Sequence, residues 1–451
     1  MKTSYRDLLT FVVITLAIFI LYNGFQDNYY FSDDYQWIGH AILVDDSFSE
    51  IFLVRGRDFN PLLTFFFYVI IKVGGISPLL LRILCFFTFT GALFALYYIL
   101  SRYFDVKPAI ALSAVLLTDF NVYISEVLLY ISTFVYTLTL LLFFIALKFF
   151  LDGKKVLYLL FMLLAFQVKE TIILALIPLF LYEKKRGSRV LLMVSTPLIF
   201  LTRFIFQSVD TGSYTHFATT ENIFYKLYFL ILHPMNLSPF SMSITIGISA
   251  TLILFIIFAY YLKTDRRILF FGSLFVVYVL FFSFLPRLSS KYYFYPAFAF
   301  WGCAALLGDY FYRKSKAAKY FIFVLLIISL LLNYPAIRRE VEDYRILGDF
   351  SKEYIAKQAA IIKNKVGPHS QQGELIIERQ GDWRLRRLHR EIHDRSNLLK
   401  LLPIRKHSVG GILSPGNLIP LIFYPERIVR WTLIEETSAY FSGNLEISAR
   451  D

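Results

Sequence analysis

Two adjacent carboxylates, Asp33 and Asp34, stand in the segment Phe31-Ser-Asp-Asp-Tyr-Gln-Trp37, a few residues beyond the first long apolar run. A carboxylate within hydrogen-bond reach of an acceptor hydroxyl or amine can serve as a general base. Neighbouring side chains on regular structure point in different directions, so one of the pair can face a cavity while the other binds backbone or a cation. The other candidates are cations: Arg55, Arg57, Lys169, Arg203, Arg287 and Lys291, with Glu170 beside Lys169. Arginine and lysine aimed at developing phosphate charge stabilise a phosphate leaving group. Each candidate also has a plainer reading. The acidic pair is a solvated loop or cap, Lys169–Glu170 a structural ion pair, Arg203 a side chain snorkelling from a helix end, and Arg287 and Lys291 ordinary loop charges. His216 and His233 have no partner at metal-ligand spacing.

The elements that must position these groups are membrane spans. Of 451 residues, 57% are hydrophobic and 18% aromatic, and the mean hydropathy is +0.58, well above a soluble domain. Apolar stretches long enough to cross a hydrocarbon core of about 30 Å recur along the chain. The net charge of +13 does not mark a nucleic-acid surface, because Lys and Arg fall in short loops between spans and in the C-terminal tail. Cys85 and Cys303 both lie inside apolar spans, so neither a disulfide framework nor a thiol site is indicated. The first run, about 8–23, follows Lys2 and Arg6 and lacks a small-residue cleavage site, which predicts a retained anchor with a cytoplasmic N-terminus.

An acidic outer loop, 24–60, follows this anchor. Residues 62–73 are too short to cross and read as an interfacial or re-entrant helix. Were they to cross, Lys184-Lys185-Arg186 and Arg266-Arg267 would be placed outside. The stretch 156–182 has basic residues on both flanks, so two short helices broken at Lys169–Glu170 satisfy the charge rule where one crossing would not. A surface helix is expected around 221–232, and spans at about 79–100, 189–206, 240–262, 268–285, 292–310 and 318–334, with two more in 108–150. Composition changes after Pro335; helical periodicity over 336–366 is followed by strand-like segments at 373–378, 410–413 and 419–424. The basic stretch Arg384 to Arg390 reads as a solvated helix face or a contact to lipid phosphates. The predicted fold class is therefore an all-α polytopic membrane bundle of about eleven transmembrane helices plus juxtamembrane helices, residues 1–335. A small C-terminal α/β or α+β domain, 336–451, would lie on the outer face.

The order of these features resembles the GT-C superfamily of polytopic glycosyltransferases, which includes protein O-mannosyltransferases and bacterial aminoarabinose transferases. Members carry an acidic pair in the first outer loop, where Asp33-Asp34 stands, then an aromatic juxtamembrane helix, as in Tyr35-Gln-Trp-Ile-Gly-His-Ala41. Arg55-Gly-Arg-Asp-Phe-Asn-Pro-Leu62 matches the basic-aromatic segment that follows, Phe166-Gln-Val-Lys-Glu-Thr171 the broken hairpin, and Lys291-Tyr-Tyr-Phe-Tyr-Pro296 the late basic-Tyr pair. The resemblance spans roughly residues 8–335. It implies transfer of a sugar from a polyprenyl-phosphate donor to a lipid, glycan or protein acceptor, with inversion at the anomeric carbon. Asp33 would be the catalytic carboxylate and Asp34 second. Arg55, Arg57, Lys169, Arg287 and Lys291 would be phosphate contacts, with Glu170, Arg203 and Tyr292 supporting. Some members use a divalent metal ion and others do not. Asn60 stands where some relatives have Lys, and the pair is Asp-Asp instead of Asp-Glu, departures that weaken assignment to a subfamily.

A transporter or flippase of lipid-linked saccharides, and a polysaccharide polymerase or ligase, are the competing classes. Transporters often show inverted repeats, and none is detectable here. A polymerase or ligase would concentrate arginine in large late outer loops, whereas here the acidic first loop dominates. The expected location is a prokaryotic cytoplasmic (inner) membrane, with the N-terminus inside and the C-terminal domain outside.

Overall fold

The computed structural model describes residues 5–29, 61–75, 77–194, 220–235, 265–285, 290–366, 374–379, 431–434 and 445–450, with single first-loop residues including Asp34, Trp37, Ile38 and Ala41. The chain forms two compact units, one of Met1–Gln26, Phe52–Leu63 and Leu81–Val341, the other of Asp27–Ile51, Thr64–Leu80 and Glu342–Asp451.

In the first unit, α1 (Tyr5–Leu21) lies antiparallel to α3 (Pro78–Tyr98). Asp7 pairs with Arg102 at 2.7 Å, Phe11 meets Phe94 edge-on, Tyr22 packs on Phe89 and Phe25 stacks on Phe86. Gly24, at φ +98°, turns the chain out of α1 in a conformation that a side chain would strain. Helices α4 (Pro108–Asp119) and α5 (Phe134–Leu151) are separated by short turns, Val122–Ile124, Glu126–Leu129 and Ile131–Thr133. The segments Pro108–Asp119 and Val122–Leu129 bend by 63° at the break. Helices α6 (Lys155–Val168) and α7 (Leu176–Tyr182) flank the 3₁₀ segment Glu170–Ala175, and α9 (Arg266–Ser283) packs on α10 (Phe294–Lys314).

One end of this unit is tied by ion pairs. Arg313 bridges Asp309 at 2.6 Å and Asp105 at 3.2 Å, and Asp309 accepts from the backbone N–H of Lys107 at 3.0 Å. Arg267 is held by Asp265 at 2.6 Å and donates to the carbonyl of Phe104. Asp152 receives the Tyr103 hydroxyl at 2.6 Å and Lys148 at 2.7 Å. Arg266 reaches the carbonyl of Tyr182 at 3.3 Å, and Phe104 packs on Tyr182 and Phe270. The loops around 102–107, 152–155, 182–189 and 265–267 thus share one basic end with Asp7 and Arg313.

Because both Lys155 and Tyr182 lie there, the segment between them goes in and comes back. The hairpin expected from its flanking charges is present, broken where Lys169 is extended (φ −152°, ψ 122°). The run Glu-Thr-Ile-Ile-Leu-Ala then takes the tighter 3₁₀ form over six residues, unusually long for that geometry. Its β-branched Thr171, Ile172 and Ile173 resist α-helix, and a charged pair placed at the turn avoids burial along an apolar shaft.

Among the described residues three stretches, Pro78–Arg102, Ile131–Leu151 and Arg266–Ser283, are long and apolar enough to cross a membrane, and a fourth if the bent pair counts as one span. The chain is an integral membrane protein. The expected spans at 189–206 and 240–262 lie partly or wholly outside the described residues, so a total of eleven is not reached here. The apolar helix α2 (Pro61–Gly74) has 14 residues, about 21 Å of helix, shorter than the hydrocarbon core. The surface helix expected at 221–232 is α8 (Thr220–Leu232).

Close packing of α9 on α10 depends on Gly302. A Cβ there would fall 2.5 Å from the Phe271 ring, which is itself wedged against Phe104 and Phe270. In an unconstrained helix Gly→Ala is stabilising by about 1 kcal/mol. Gly302→Ala is expected to do the opposite and destabilise by about 1–3 kcal/mol through overpacking, read as a lower melting temperature. A raised melting temperature would show that the helices separate freely at this point.

The second unit takes in part of the first loop. Asp34, Trp37, Ile38 and Ala41 are all buried and follow the i, i+3, i+4, i+7 spacing of one helix face. Trp37 stacks on Phe67. The backbone at Tyr29 comes so close to Gly348 that a Cβ would sit 2.5 Å from the Tyr29 nitrogen. Helix α11 (Lys316–Val366) contains Pro335 and continues for another 31 residues, so the change of composition after Pro335 does not end the helix. Strand β1 (Glu374–Arg379) pairs in parallel with β2 (Trp431–Ile434) and antiparallel with β3 (Leu445–Arg450), giving the order β2-β1-β3. β1 matches the strand expected at 373–378, shifted by one residue. Those expected at 410–413 and 419–424, and the basic stretch 384–390, lie outside the described residues.

Candidate functional site

At the end of the first unit opposite the basic loops, the hairpin break sets Lys169 and Glu170 together at 3.4 Å. Lys169 is 14% and Glu170 27% exposed at the side chain, so the pair is half-enclosed and less screened by water than a surface pair. The Tyr295 hydroxyl lies among Lys169, Glu170, Thr139 and Thr171. Aromatic rings close around it: Tyr278 stacks on Tyr295 with centroids 4.9 Å apart, Tyr136 lies 5.8 Å from Tyr295, and Phe282 stacks on Tyr292 at 5.0 Å. Tyr292 also meets Tyr136 edge-on at 6.3 Å. The turn Ser290–Tyr293 leading into α10 carries Lys291, whose Nζ is 5.9 Å from the centre of the Tyr292 ring. Lys169, Glu170, Lys291 and Tyr292, far apart in sequence, are thus brought to one end of the unit. The arrangement offers cations beside phenol edges, suited to holding an anion that has an apolar body.

The remaining expected residues divide in two. Asp34 is fully buried within the second unit. Asp33, Arg55, Arg57, Arg203 and Arg287 lie outside the described residues, as does His216. Among the described residues no three of His, Cys, Asp and Glu come together in a way that could hold a metal ion.

Several buried polar residues at this end were not singled out from the sequence. Arg82, in the first turns of α3, is fully buried and donates to the carbonyl of Leu129, at the C-terminal end of the short turn Glu126–Leu129. The negative end of a helical turn is a favourable place for that charge. A lone arginine inside an apolar run was the available signal. Asp119 ends α4 with both carboxylate oxygens enclosed and, among the described residues, without a hydrogen-bond partner, while its carbonyl accepts from the Tyr22 hydroxyl at 3.3 Å. Lys226 of α8 donates to the carbonyl of Leu285.

His233, in the turn after α8 and outside the spans, is fully buried and stacked on Tyr123 with centroids 3.8 Å apart. Tyr293 and Phe229 approach its ring edge-on at 4.6 and 4.8 Å. The Asn121 side chain locks the same turn: its amide donates to the His233 carbonyl at 2.9 Å and its oxygen accepts from the Tyr123 N–H at 2.9 Å. Among the described residues neither ring nitrogen has a hydrogen-bond partner, and burial holds the imidazole well below its ordinary value of 6.5.

The unfolded chain therefore binds a proton below about pH 6.5 that the folded one does not, so His233 lowers stability as pH falls through that value and has no effect above it. His233→Phe, which keeps the ring stack, is expected to flatten the fall in melting temperature between pH 7 and 5. An unchanged acid slope would contradict this.

No family model matches the chain, and no curated protein matches it in sequence. Among solved structures it is similar to ArnT from Cupriavidus metallidurans bound to undecaprenyl phosphate, at 12% identity and a TM-score of 0.49, over 93% of this chain and 78% of that one. It is similar to the same protein in the apo state at 12% identity and a TM-score of 0.47, over 92% and 77% of the two chains. At that level no residue role passes from ArnT to this chain.

Proposed function

We propose that the protein is a membrane glycosyltransferase that moves a sugar from a polyprenyl-phosphate donor to a lipid, glycan or protein acceptor at the outer face of a prokaryotic cytoplasmic membrane. The observation that carries this reading is the broken hairpin, which sets Lys169 and Glu170 beside a tyrosine cluster at the end away from the basic loops. A half-enclosed charged pair at the turn of a hairpin of short apolar helices is costly to keep and calls for a use.

In the proposed reaction Asp33 accepts the proton of the acceptor hydroxyl or amine as the acceptor atom attacks the anomeric carbon. The bond from that carbon to the phosphate oxygen breaks, and polyprenyl phosphate leaves with the bonding electrons. Attack opposite the leaving group inverts the anomeric centre. Lys169 neutralises charge growing on the phosphate and Glu170 keeps the ammonium in place, while Lys291, Arg55, Arg57 and Arg287 are further phosphate contacts. Tyr292 and Arg203 support them. Full burial of Asp34 beside Trp37 and Ile38 supports a structural part for it, and Asp33 is the proposed base.

The test is to incubate purified protein with polyprenyl-phosphate sugars and follow release of the lipid phosphate. Undecaprenyl phosphate, the lipid in one of the ArnT structures, is the first carrier to try. Release that depends on an acceptor supports the reading, and no release with any sugar or acceptor overturns it.

A further inference from the structure

A second feature of the first unit lies nearer the basic end and has no part in the proposed transfer. A cavity of about 520 Å³ runs between α4, α10 and the start of α11, walled by Ala114, Leu117, Trp301, Ala304 and Leu325. Its polar residues are few, and Lys314 and Ser315 line the end nearest the basic loops. Trp301 and Lys314 are 13 positions apart on one helix, about 20 Å at the α-helical rise, a little more than one leaflet's hydrocarbon depth of about 15 Å. An apolar groove of that length along the outside of a span fits an extended acyl chain.

The chemistry of the mouth selects the headgroup. Ser315 is extended (φ −146°, ψ 130°) and directly precedes α11, so it occupies the N-cap position of that helix. The first-turn N–H groups of a helix have no partner within it and favour a phosphate. At the same mouth the Lys314 ammonium lies 4.2 Å from the centre of the Tyr310 ring and donates to the Tyr310 hydroxyl. The surrounding segment, Arg313-Lys-Ser-Lys-Ala-Ala-Lys319, carries Arg313, Lys314, Lys316 and Lys319 and no acidic residue. Basic pockets between membrane helices are suited to anionic lipid headgroups.

We propose that this groove seats one acyl chain of an anionic phospholipid, with its phosphate at Lys314, Ser315 and the first turn of α11. The lipid belongs to the leaflet at the basic end, so the site is separate from the cluster around Lys169. It would fasten α4, α10 and α11 together from the bilayer side.

The full chain, delipidated in detergent, is titrated with phosphatidylglycerol or with phosphatidylcholine of the same chain length, and bound lipid is counted by native mass spectrometry. Wild-type protein is expected to retain phosphatidylglycerol ahead of phosphatidylcholine by about five-fold or more, the share of roughly one favourable cation. Lys314→Glu should lose the preference while still taking lipid. Ala304→Phe should fill the groove and lose the bound lipid, and Gly308→Leu on the same wall serves if that variant does not fold. Equal retention of the two lipids by wild-type protein, or undiminished phosphatidylglycerol in a folded groove-filled variant, would overturn the proposal. So would displacement of phosphatidylglycerol by an equimolar polyprenyl phosphate.

Discussion

Asp33→Asn is expected to lower sugar transfer by about 10²–10⁴-fold, the usual share of a positioned general base. The amide keeps the size and hydrogen-bonding reach of the side chain but cannot take the acceptor's proton. Melting temperature and binding of polyprenyl phosphate should stay within error of wild type, because the lost step lies in the transition state and not in ground-state binding. Asp34→Asn should behave differently. Its carboxylate is fully buried on the face shared with Trp37, Ile38 and Ala41, so its loss should show first in stability. A pair of variants in which Asp34→Asn alone removes turnover, with the fold intact, would exchange the two assignments.

Lys169→Met is expected to have the next largest effect, about 10²–10³-fold in kcat, comparable to removing one preorganised donor from a developing charge. The thioether fills the space of the lysine stem, which keeps the packing beside Tyr295. It also leaves Glu170 without the ammonium now 3.4 Å away, so a stability loss is expected alongside. Lys169→Met combined with Glu170→Gln removes that uncompensated charge and should recover the melting temperature without recovering turnover. That split separates a catalytic cation from a structural ion pair. Recovery of turnover in the double variant would make Lys169–Glu170 an architectural device only.

Much of the framework that holds these residues was legible in the sequence because it follows from charge and apolar length. The hairpin over 155–182 could be foreseen since one crossing would have put a basic flank on the wrong side, and the break falls at Lys169–Glu170 where the charges are. The surface helix over 220–232 and the first strand of the tail followed from periodicity in the same way. Contacts between distant residues were not readable. Nothing local links Asn121 to His233, which lie 112 positions apart, and the stacking of His233 on Tyr123 depends on how the two turns meet. Arg82 is marked as unusual by its apolar surroundings, but its acceptor, the carbonyl of Leu129, is a backbone group that composition does not reveal. Pro335 lies inside α11. A proline removes one backbone donor from a helix, yet membrane helices tolerate this where neighbouring groups satisfy the freed carbonyl, and α11 runs through it.

The tyrosine cluster illustrates the middle ground. Lys291-Tyr-Tyr-Phe-Tyr-Pro296 stood out as a motif, but its alternate tyrosines serve two sites. Tyr292 and Tyr295 face Tyr136 and the Lys169–Glu170 break, whereas Tyr293 packs against His233 and Tyr123. The turn Ser290–Tyr293 and the start of α10 therefore join the turn after α8 to the Lys169–Glu170 break.

The most direct test of glycosyl transfer is to reconstitute the purified protein in liposomes with a polyprenyl-phosphate sugar labelled in both sugar and lipid, and to follow the two labels separately. The account predicts that the sugar leaves the lipid, appears on the acceptor with its anomeric configuration inverted, and is matched by an equal amount of free polyprenyl phosphate. Movement of the intact lipid-sugar from one leaflet to the other, with both labels still joined, would contradict it.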